Sequence, residues 1–462
     1  MEGTKIEWTD HTVNGWIGCA KVSPGCANCY AEAQDERWKY GGRTNWGVGG
    51  SRHNRVEAAI RELRRIAALA HREGRPQFVF LSSMCDVFED HPEVPAMRAR
   101  LWAELNELNR DSAAIVALLL TKRPTVLLEW QREVAPSGLP HWAWVGTSVE
   151  NQEVADERVP VLLEVSTQGI RFLSMEPLLG PVDLENIAPG LRNGFPGVTN
   201  ALTGEWWPAV GDESDEYDGR EDLGAKIGWV IVGGESGPKA RPMHPHWPLS
   251  IRDQCANAGV PFLFKQWGEW GTDCFNMLTG RAEWPMFDTH LRWVHKASSW
   301  VGEADALVDV AGRRCRNGGD MAVAVYPVAI LVKRGKKAAG RVLDGRTHDD
   351  SPPAGYGAEV PPLAVPVSLA NSLVDGKVPT ARPMPGIAGV WSSLRFEDAE
   401  VDAGPSPSGN PGPYLKVPDP TSGTRHRVYP RPLARGPDAV ERYQRHPRLI
   451  DGVWFWVPTV TS

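Results

Sequence analysis

A short apolar run, a polar turn and a helix-like segment recur from about residue 78 onward at roughly 30-residue intervals, the size of one βα unit. The runs are QFVFLSS (77–83), AAIVALLLT (113–121), WAWVGTS (142–148), GIRFLSM (169–175), GWVIVGG (228–234) and VPFLFKQW (260–267). Most are continuously apolar rather than alternating, as parallel strands buried on both faces require. Between them lie helix candidates such as PAMRARLWAELNELNR, and WPLSIRDQCANAGV with its closing glycine. HTVNGWIG, near the N-terminus, supplies a further extended segment as a first strand. Six or seven βα units within about 270 residues predict an α/β fold, a partial or closed TIM-like (β/α) barrel. A doubly wound open sheet is the alternative.

Three regions follow. Residues 1–270 form the barrel, interrupted by a Gly-, Pro-, Asp- and Glu-rich insertion at about 186–227. Residues 271–350 read as a C-terminal segment packing on it. Residues 351–462 hold 19 of the 39 prolines and read as a loop-dominated extension, although DGVWFWVP has the composition of a strand.

The chain of 462 residues is 42% hydrophobic and 23% charged, with a formal net charge of −7. That balance excludes wholesale disorder and a uniformly basic nucleic-acid coat, while leaving room for a local basic groove. No apolar run is long enough to span a bilayer, and MEGTKIEWTDHT lacks a signal-peptide core, which predicts a soluble intracellular protein without membrane partners.

Seven cysteines are too few for a disulfide scaffold, yet Cys19, Cys26 and Cys29 crowd into one C-x6-C-x2-C segment. Thiolates are soft ligands suited to zinc or to an iron–sulfur cluster. Three of them with no neighbouring fourth would leave one metal position open for chemistry. The same residues allow a structural zinc completed by His11 or a remote cysteine, or three unrelated thiols. The segment lies between the first strand and the helix YAEAQDERWKY, at the C-terminal mouth where barrels place their active sites.

Other strand ends also finish in polar residues: Ser82, Ser83 and Asp86; Lys122 and Arg123; Thr147, Ser148, Glu150 and Asn151; Glu176; Gly233, Gly234 and Glu235; Lys265, Gln266 and Trp267. Each alone reads equally well as a helix cap or solvated turn. Together, carboxylates and cations converging on one mouth are costly unless paired or used, which makes Asp86, Glu150, Glu176, Glu235 and Lys265 the catalytic candidates. His244 and His246 read as a structured turn before they read as metal ligands. Lys333, Arg334, Lys336, Lys337 and Arg341 read as a solvated loop. Seven arginines between 422 and 448 offer a place for phosphate contact.

The segments TKIEWTDHTVNGWIGCAKVSPGCANCYAE, SSMCDVFED, LLLTKRP, VGTSVENQEVADERVPVLL, RFLSMEPLLGPVDL, WVIVGGESGPKARPMHP and IRDQCANAGVPFLFKQWGEW resemble a phage-associated three-cysteine-motif protein family. KRGKKAAGRVLDGRTHDD resembles that family's C-terminal end. The family is similar to radical S-adenosylmethionine (radical SAM) enzymes. The resemblance implies a [4Fe–4S] cluster on Cys19, Cys26 and Cys29, S-adenosylmethionine cleaved reductively to a 5′-deoxyadenosyl radical, and an electron donor for the cluster. It further implies cofactor contacts from Ser82, Ser83, Asp86, Thr147, Ser148, Glu150, Gly233, Gly234 and Glu235. The first cysteine gap, six residues, departs from the commonest radical SAM spacing of three. The phage association implies the cytoplasm of a bacterial host and, with Lys122, Arg123, Arg241, Lys265 and the 20 tryptophans, favours a nucleic acid or nucleotide as the substrate to be modified or repaired. The non-catalytic alternative is a zinc- or cluster-stabilised nucleic-acid-binding module. A hydrolase using the carboxylates alone is a third reading.

Overall fold

The computed structural model describes residues 4, 6–111, 114–192, 195–208, 210–212, 221–272, 305–315, 324–325 and 328–353, and the strands 400–402, 414–418, 425–428, 445–450 and 453–458. Seven strands form one parallel sheet: β1 (His11–Val13), β2 (Gln77–Leu81), β3 (Ile115–Thr121), β4 (Ala143–Ser148), β5 (Arg171–Met175), β6 (Trp229–Gly233) and β7 (Phe262–Gln266). Their order in the sheet is their order in the chain. A doubly wound sheet reverses direction part-way, so this order overturns that alternative. The sheet curls into a half-barrel flanked by helices, and β1 and β7 are its two edges rather than a closing pair. Of the two barrel forms expected, the partial one is found.

Helices complete most of the crossovers. They are α1 (Tyr30–Trp38), α2 (Val56–Glu73), α3 (Val94–Leu108), α4 (Pro124–Val134), α5 (Gln152–Glu164) and α6 (His246–Ala258). Their ends follow from local chemistry. Asn151 caps α5 by accepting the Val154 N–H at 3.0 Å, and Gly74 and Gly259 close α2 and α6 in the left-handed conformation. Between β5 and β6 the alternation breaks, because residues 188–200 and 204–224 belong to a second compact unit.

The strands are buried on both faces, and each face has its own chemistry. Val79, Leu81, Ala117, Leu119, Val145, Leu173, Val230 and Phe262 pack outward against the helices. The alternate positions Phe80, Leu118, Trp144, Phe172, Trp229 and Leu263 point into the concave face, together with Trp8. There the rings make tilted and edge-to-face contacts, with Trp8 4.7 Å from Phe80 and Trp144 6.2 Å from Trp229. Gly146 makes this packing feasible: a Cβ on it would lie 2.5 Å from the Phe172 ring. The concave face is therefore filled by side chains beneath a polar upper layer, as in other (β/α) barrels. Trp16, Trp130, Trp142, Trp247 and Trp267 are also buried. This corrects the use of tryptophan abundance as a sign of base stacking: most of these rings supply core area.

A smaller antiparallel sheet in the same unit joins Trp270–Thr272, Val328–Lys333, Asp305–Asp309 and Arg314–Cys315 around its own apolar cluster. The second unit comprises residues 188–200, 204–224 and 361–462. In one of its four-stranded sheets Val210–Asp212 pairs antiparallel with Arg425–Val428, followed by Tyr414–Pro418 and Glu400–Asp402. Arg445–Ile450 and Val453–Pro458 form a hairpin, so the DGVWFWVP segment does contain a strand. Most of the proline-rich stretches, and residues 273–304, lie outside the described residues.

Replacing Gly146 by Ala should force the Phe172 ring from its place and destabilise the half-barrel by about 1–3 kcal/mol, the cost of overpacking a filled core. Urea unfolding checks this; an unchanged midpoint would contradict the packing described.

Candidate functional site

The three cysteines lie on the long connection from β1 to α1, above the carboxyl ends of the strands. After β1 the chain makes a two-residue pairing, Trp16–Ile17 with His53–Asn54, and then turns at Gly18. Gly18 has φ +122°, and a Cβ there would sit 2.2 Å from the Asn45 carbonyl oxygen, so only glycine fits. Cys19 follows, a 3₁₀ turn covers Pro24–Cys26, and Cys29 is the N-cap of α1. All three are free thiols of intermediate exposure.

Four carboxylates expected at the mouth are there, and three of them work with their cations to hold the cysteine loop. Asp86 accepts the Thr121 hydroxyl at 2.7 Å, the Lys122 N–H at 3.0 Å and Arg123 Nη1 at 2.9 Å. Arg123 in turn donates to the Ala20 carbonyl at 2.8 Å and lies 3.8 Å from Cys19 Sγ. The Ala20 N–H is taken by Glu89 at 2.6 Å, so the residue beside Cys19 is gripped at both ends of its peptide groups. Glu89 itself forms a buried two-pronged pair with Arg52, at 2.7 and 2.8 Å. The remaining Arg52 donors reach the carbonyls of Asn45, Gly47, Gly50 and Ser51.

Glu150 is fully buried and accepts Ser23 Oγ at 2.7 Å and Lys122 Nζ at 2.6 Å, with Arg158 at 3.4 Å. Gly25 rests directly on it, since a Cβ would come within 2.3 Å of Glu150 Oε1. Glu235 accepts Asn28 Nδ2 at 3.1 Å and a two-pronged contact from Arg241, whose Nη2 also reaches the Pro24 carbonyl at 3.0 Å. The fourth carboxylate behaves differently. Glu176 pairs with Lys265 at 3.0 Å, both side chains partly exposed, and neither makes a hydrogen bond to residues 19–29 among the described contacts.

Burial alone would raise the Glu150 carboxyl, but Lys122, Arg158 and the Ser23 hydroxyl outweigh it and hold it below its ordinary value. Glu235 is lowered in the same way, chiefly by Arg241 against its own burial. Burial, reinforced by Asp86 and Glu89, pushes the Cys19 thiol up to about 12 despite Arg123. Burial likewise raises Cys29, against the N–H groups of Ala31 and Glu32. Any metal these thiols were to bind would displace their protons.

The other expected residues have internal duties. Ser83 Oγ meets Asn14 at 3.2 Å, and its carbonyl accepts the Tyr30 hydroxyl at 2.8 Å. Thr147 donates to the Thr121 carbonyl, and the Ser148 carbonyl accepts Arg158. A Cβ on Gly233 would lie 2.5 Å from Glu176 Oε1, and one on Gly234 2.0 Å from the Trp267 carbonyl oxygen. Ser82 is buried with φ +78°, and its hydroxyl reaches no hydrogen-bonding geometry. It still lies close enough to the half-buried Cys85 to offset part of the rise that desolvation imposes on that thiol. His11 Nε2 lies 3.2 Å from Gln77 Oε1, and His244 Nδ1 accepts the His246 N–H in a turn opening α6.

Among the described residues, no three Cys, His, Asp or Glu side chains converge as a metal-ligating group. What the cysteine loop shares with a soft-metal site is residue chemistry alone: three sulfurs on one segment, with backbone N–H groups beside Cys29.

Residues 3–352 match the family described as a protein of unknown function, DUF5131. This chain belongs to DUF5131. No curated protein and no solved structure gives a match. The matched span of the DUF5131 chain includes every cysteine-loop and strand-end residue described above.

Sequence reasoning missed Ser23, Asn28, Arg52, Glu89 and Arg158, the partners that make the mouth a clamp. Asp86 and Glu89, close together after β2, carried a signal, since acidic residues just past the carboxyl end of a barrel strand lie at the mouth. Arg52 carried none, because its partner is 37 residues away.

The clamp has a pH signature. Both anchoring carboxyls, Glu150 and Glu235, are lower in the folded chain than when unfolded, so their contribution is complete above about pH 4.5 and disappears as pH falls through the folded values below it. Unfolding free energy measured by denaturant titration should drop below that pH, and less steeply in Glu150→Gln. Identical slopes in the two proteins would contradict the assignment.

Proposed function

We propose that this DUF5131 protein is an iron–sulfur enzyme of the radical SAM type, acting on a nucleic acid or nucleotide. The observation that carries the reading is the placement of three thiols on one loop over the carboxyl ends of a singly wound parallel half-barrel, where folds of this kind concentrate their chemistry. The resemblance of its motifs to the phage-associated three-cysteine-motif family supplies the chemical class. Cys19, Cys26 and Cys29 would hold three irons of a [4Fe–4S] cluster and leave the fourth open to S-adenosylmethionine. When bound, the cluster supplies one-electron reductive cleavage of S-adenosylmethionine to a 5′-deoxyadenosyl radical, with the electron drawn from an external donor.

The chain's own residues then divide into two groups. Asp86, Glu150 and Glu235 position the loop, together with Glu89, Lys122, Arg123 and Arg241. Their oxygens are already occupied, so their role as direct cofactor contacts gives way to holding the ligands in place. Glu176 and Lys265 remain as an opposite-charge pair at the mouth, available to bind polar groups of cofactor or substrate. Ser82, buried after β2 in a strained conformation, joins them as a contact residue. The partners are the substrate and an electron donor, and the compartment is the cytoplasm of a bacterial host. No helix among the described residues is long and apolar enough to cross a membrane.

Anaerobic purification and reconstitution with iron and sulfide tests the reading. The reduced protein should carry about four irons and an EPR signal that S-adenosylmethionine perturbs, both lost in Cys26→Ala. Stoichiometric zinc with no response to S-adenosylmethionine would replace the enzyme by a zinc-stabilised binding module.

A further inference from the structure

The four cations that favoured a nucleic-acid substrate, Lys122, Arg123, Arg241 and Lys265, are each paired with a carboxylate at 2.6–3.0 Å. Each therefore has its charge balanced by a carboxylate within the chain. The cationic surface beside the cysteine loop lies elsewhere, on the segment that leaves α1 and returns to α2. From Arg37 to Val56 the sequence is RWKYGGRTNWGVGGSRHNRV, which has five basic residues and no acidic one in a chain whose net charge is −7.

Arg52 is consumed by Glu89, but Arg37, Lys39, Arg43 and Arg55 are exposed and have no ion pair with any described residue. The acids on neighbouring elements are engaged: Asp35 with Asn45, Glu32 with Lys21, Glu57 with Arg100 and Glu93 with the Arg52 N–H. Glu36 is exposed on the last turn of α1, beside Arg37. Among these cations stands Trp38, 60% exposed, with the Arg37 guanidinium 5.3 Å from its ring centroid. Most tryptophans of the half-barrel are buried, so a ring left in solvent and flanked by cations is a separate observation from the charge. The segment is fixed to the cysteine loop by Gly47 N–H donating to the Cys19 carbonyl at 3.0 Å, and by Asn45 bridging Asp35 and the Tyr40 carbonyl.

We infer that residues 37–55 form a ledge that binds a single strand of nucleic acid and leads it toward the mouth, with Arg37, Lys39, Arg43 and Arg55 on phosphates and Trp38 stacked on a base. A single strand is favoured because its bases are free to stack on an aromatic face while the cations track the backbone. The ledge deepens the proposed function by giving its substrate a docking surface, and it rests on that reading for the role, not for the binding.

The test is fluorescence anisotropy of full-length protein with labelled DNA and RNA strands of about 15 nucleotides, a length covering one such site. Trp38→Ala should weaken binding by about 5- to 150-fold, the loss of one stacked base, without changing the salt dependence. The Arg37→Gln, Lys39→Gln, Arg43→Gln triple variant should flatten the slope of log affinity against log salt by about 2. All four positions are exposed, and Arg55→Gln gives a second handle should the triple variant fold poorly. Wild-type binding that neither set of variants alters, or equal affinity for a duplex of the same sequence, would overturn the inference; a preference between DNA and RNA identifies the strand. The same titration on reconstituted wild-type protein separates the two claims. Binding through Trp38 by a wild-type protein that takes up no cluster keeps the ledge and removes the enzyme, whereas a cluster-bearing protein indifferent to the variants removes the ledge alone.

Discussion

The Glu150 carboxylate, buried where β4 ends, is the contact on which the candidate site depends most. It takes the Ser23 hydroxyl from the cysteine loop and the Lys122 amine from the end of β3, and Gly25 lies directly against it. A charge so buried is tolerated only when each oxygen has a strong donor. Asp86, Glu89 and Glu235 repeat the arrangement at other strand ends, so the loop carrying Cys19, Cys26 and Cys29 is tied to the sheet through charged hydrogen bonds at Ala20, Ser23, Pro24 and Asn28.

The half-barrel makes that clamp available. Parallel strands in chain order bring the polar residues after every strand to one edge, and the aromatic filling of Trp8, Phe80, Trp144, Phe172 and Trp229 holds the curl that converges them. Such rings cannot be removed cheaply, since each buries on the order of 150–250 Å². The fold thus places its stability in the concave core and its charged network above, where Glu176 and Lys265 are the pair the loop leaves unused.

The strands were legible because their cause is local: continuous β-branched and aromatic runs, each followed by a turn, can hardly be anything but buried parallel strands. The position of the cysteine loop at the mouth was legible for the same reason. Partnership was not. Asp86, Glu150 and Glu235 read as ligands for something absent, whereas their partners are Arg123, Lys122, Ser23, Arg241 and Asn28, up to 207 residues away in sequence. The tryptophans misled in the opposite sense, because Trp144 and Trp229 differ from the exposed Trp38 in surroundings and not in residue type. An acid-free stretch such as 37–55 was present in the sequence, but its significance depends on knowing that the cations at the mouth are already paired.

Hydrogen exchange of residues 19–29 in the Glu150→Gln, Glu235→Gln double variant tests the clamp most directly. Each substitution weakens a charge-assisted hydrogen bond worth about 1.5–3 kcal/mol, so exchange in the loop should accelerate at least tenfold while the β3 and β4 amides stay protected. Exchange in the loop equal to that of the wild type would mean that the carboxylates do not hold it, and that they stand free at the mouth for another purpose.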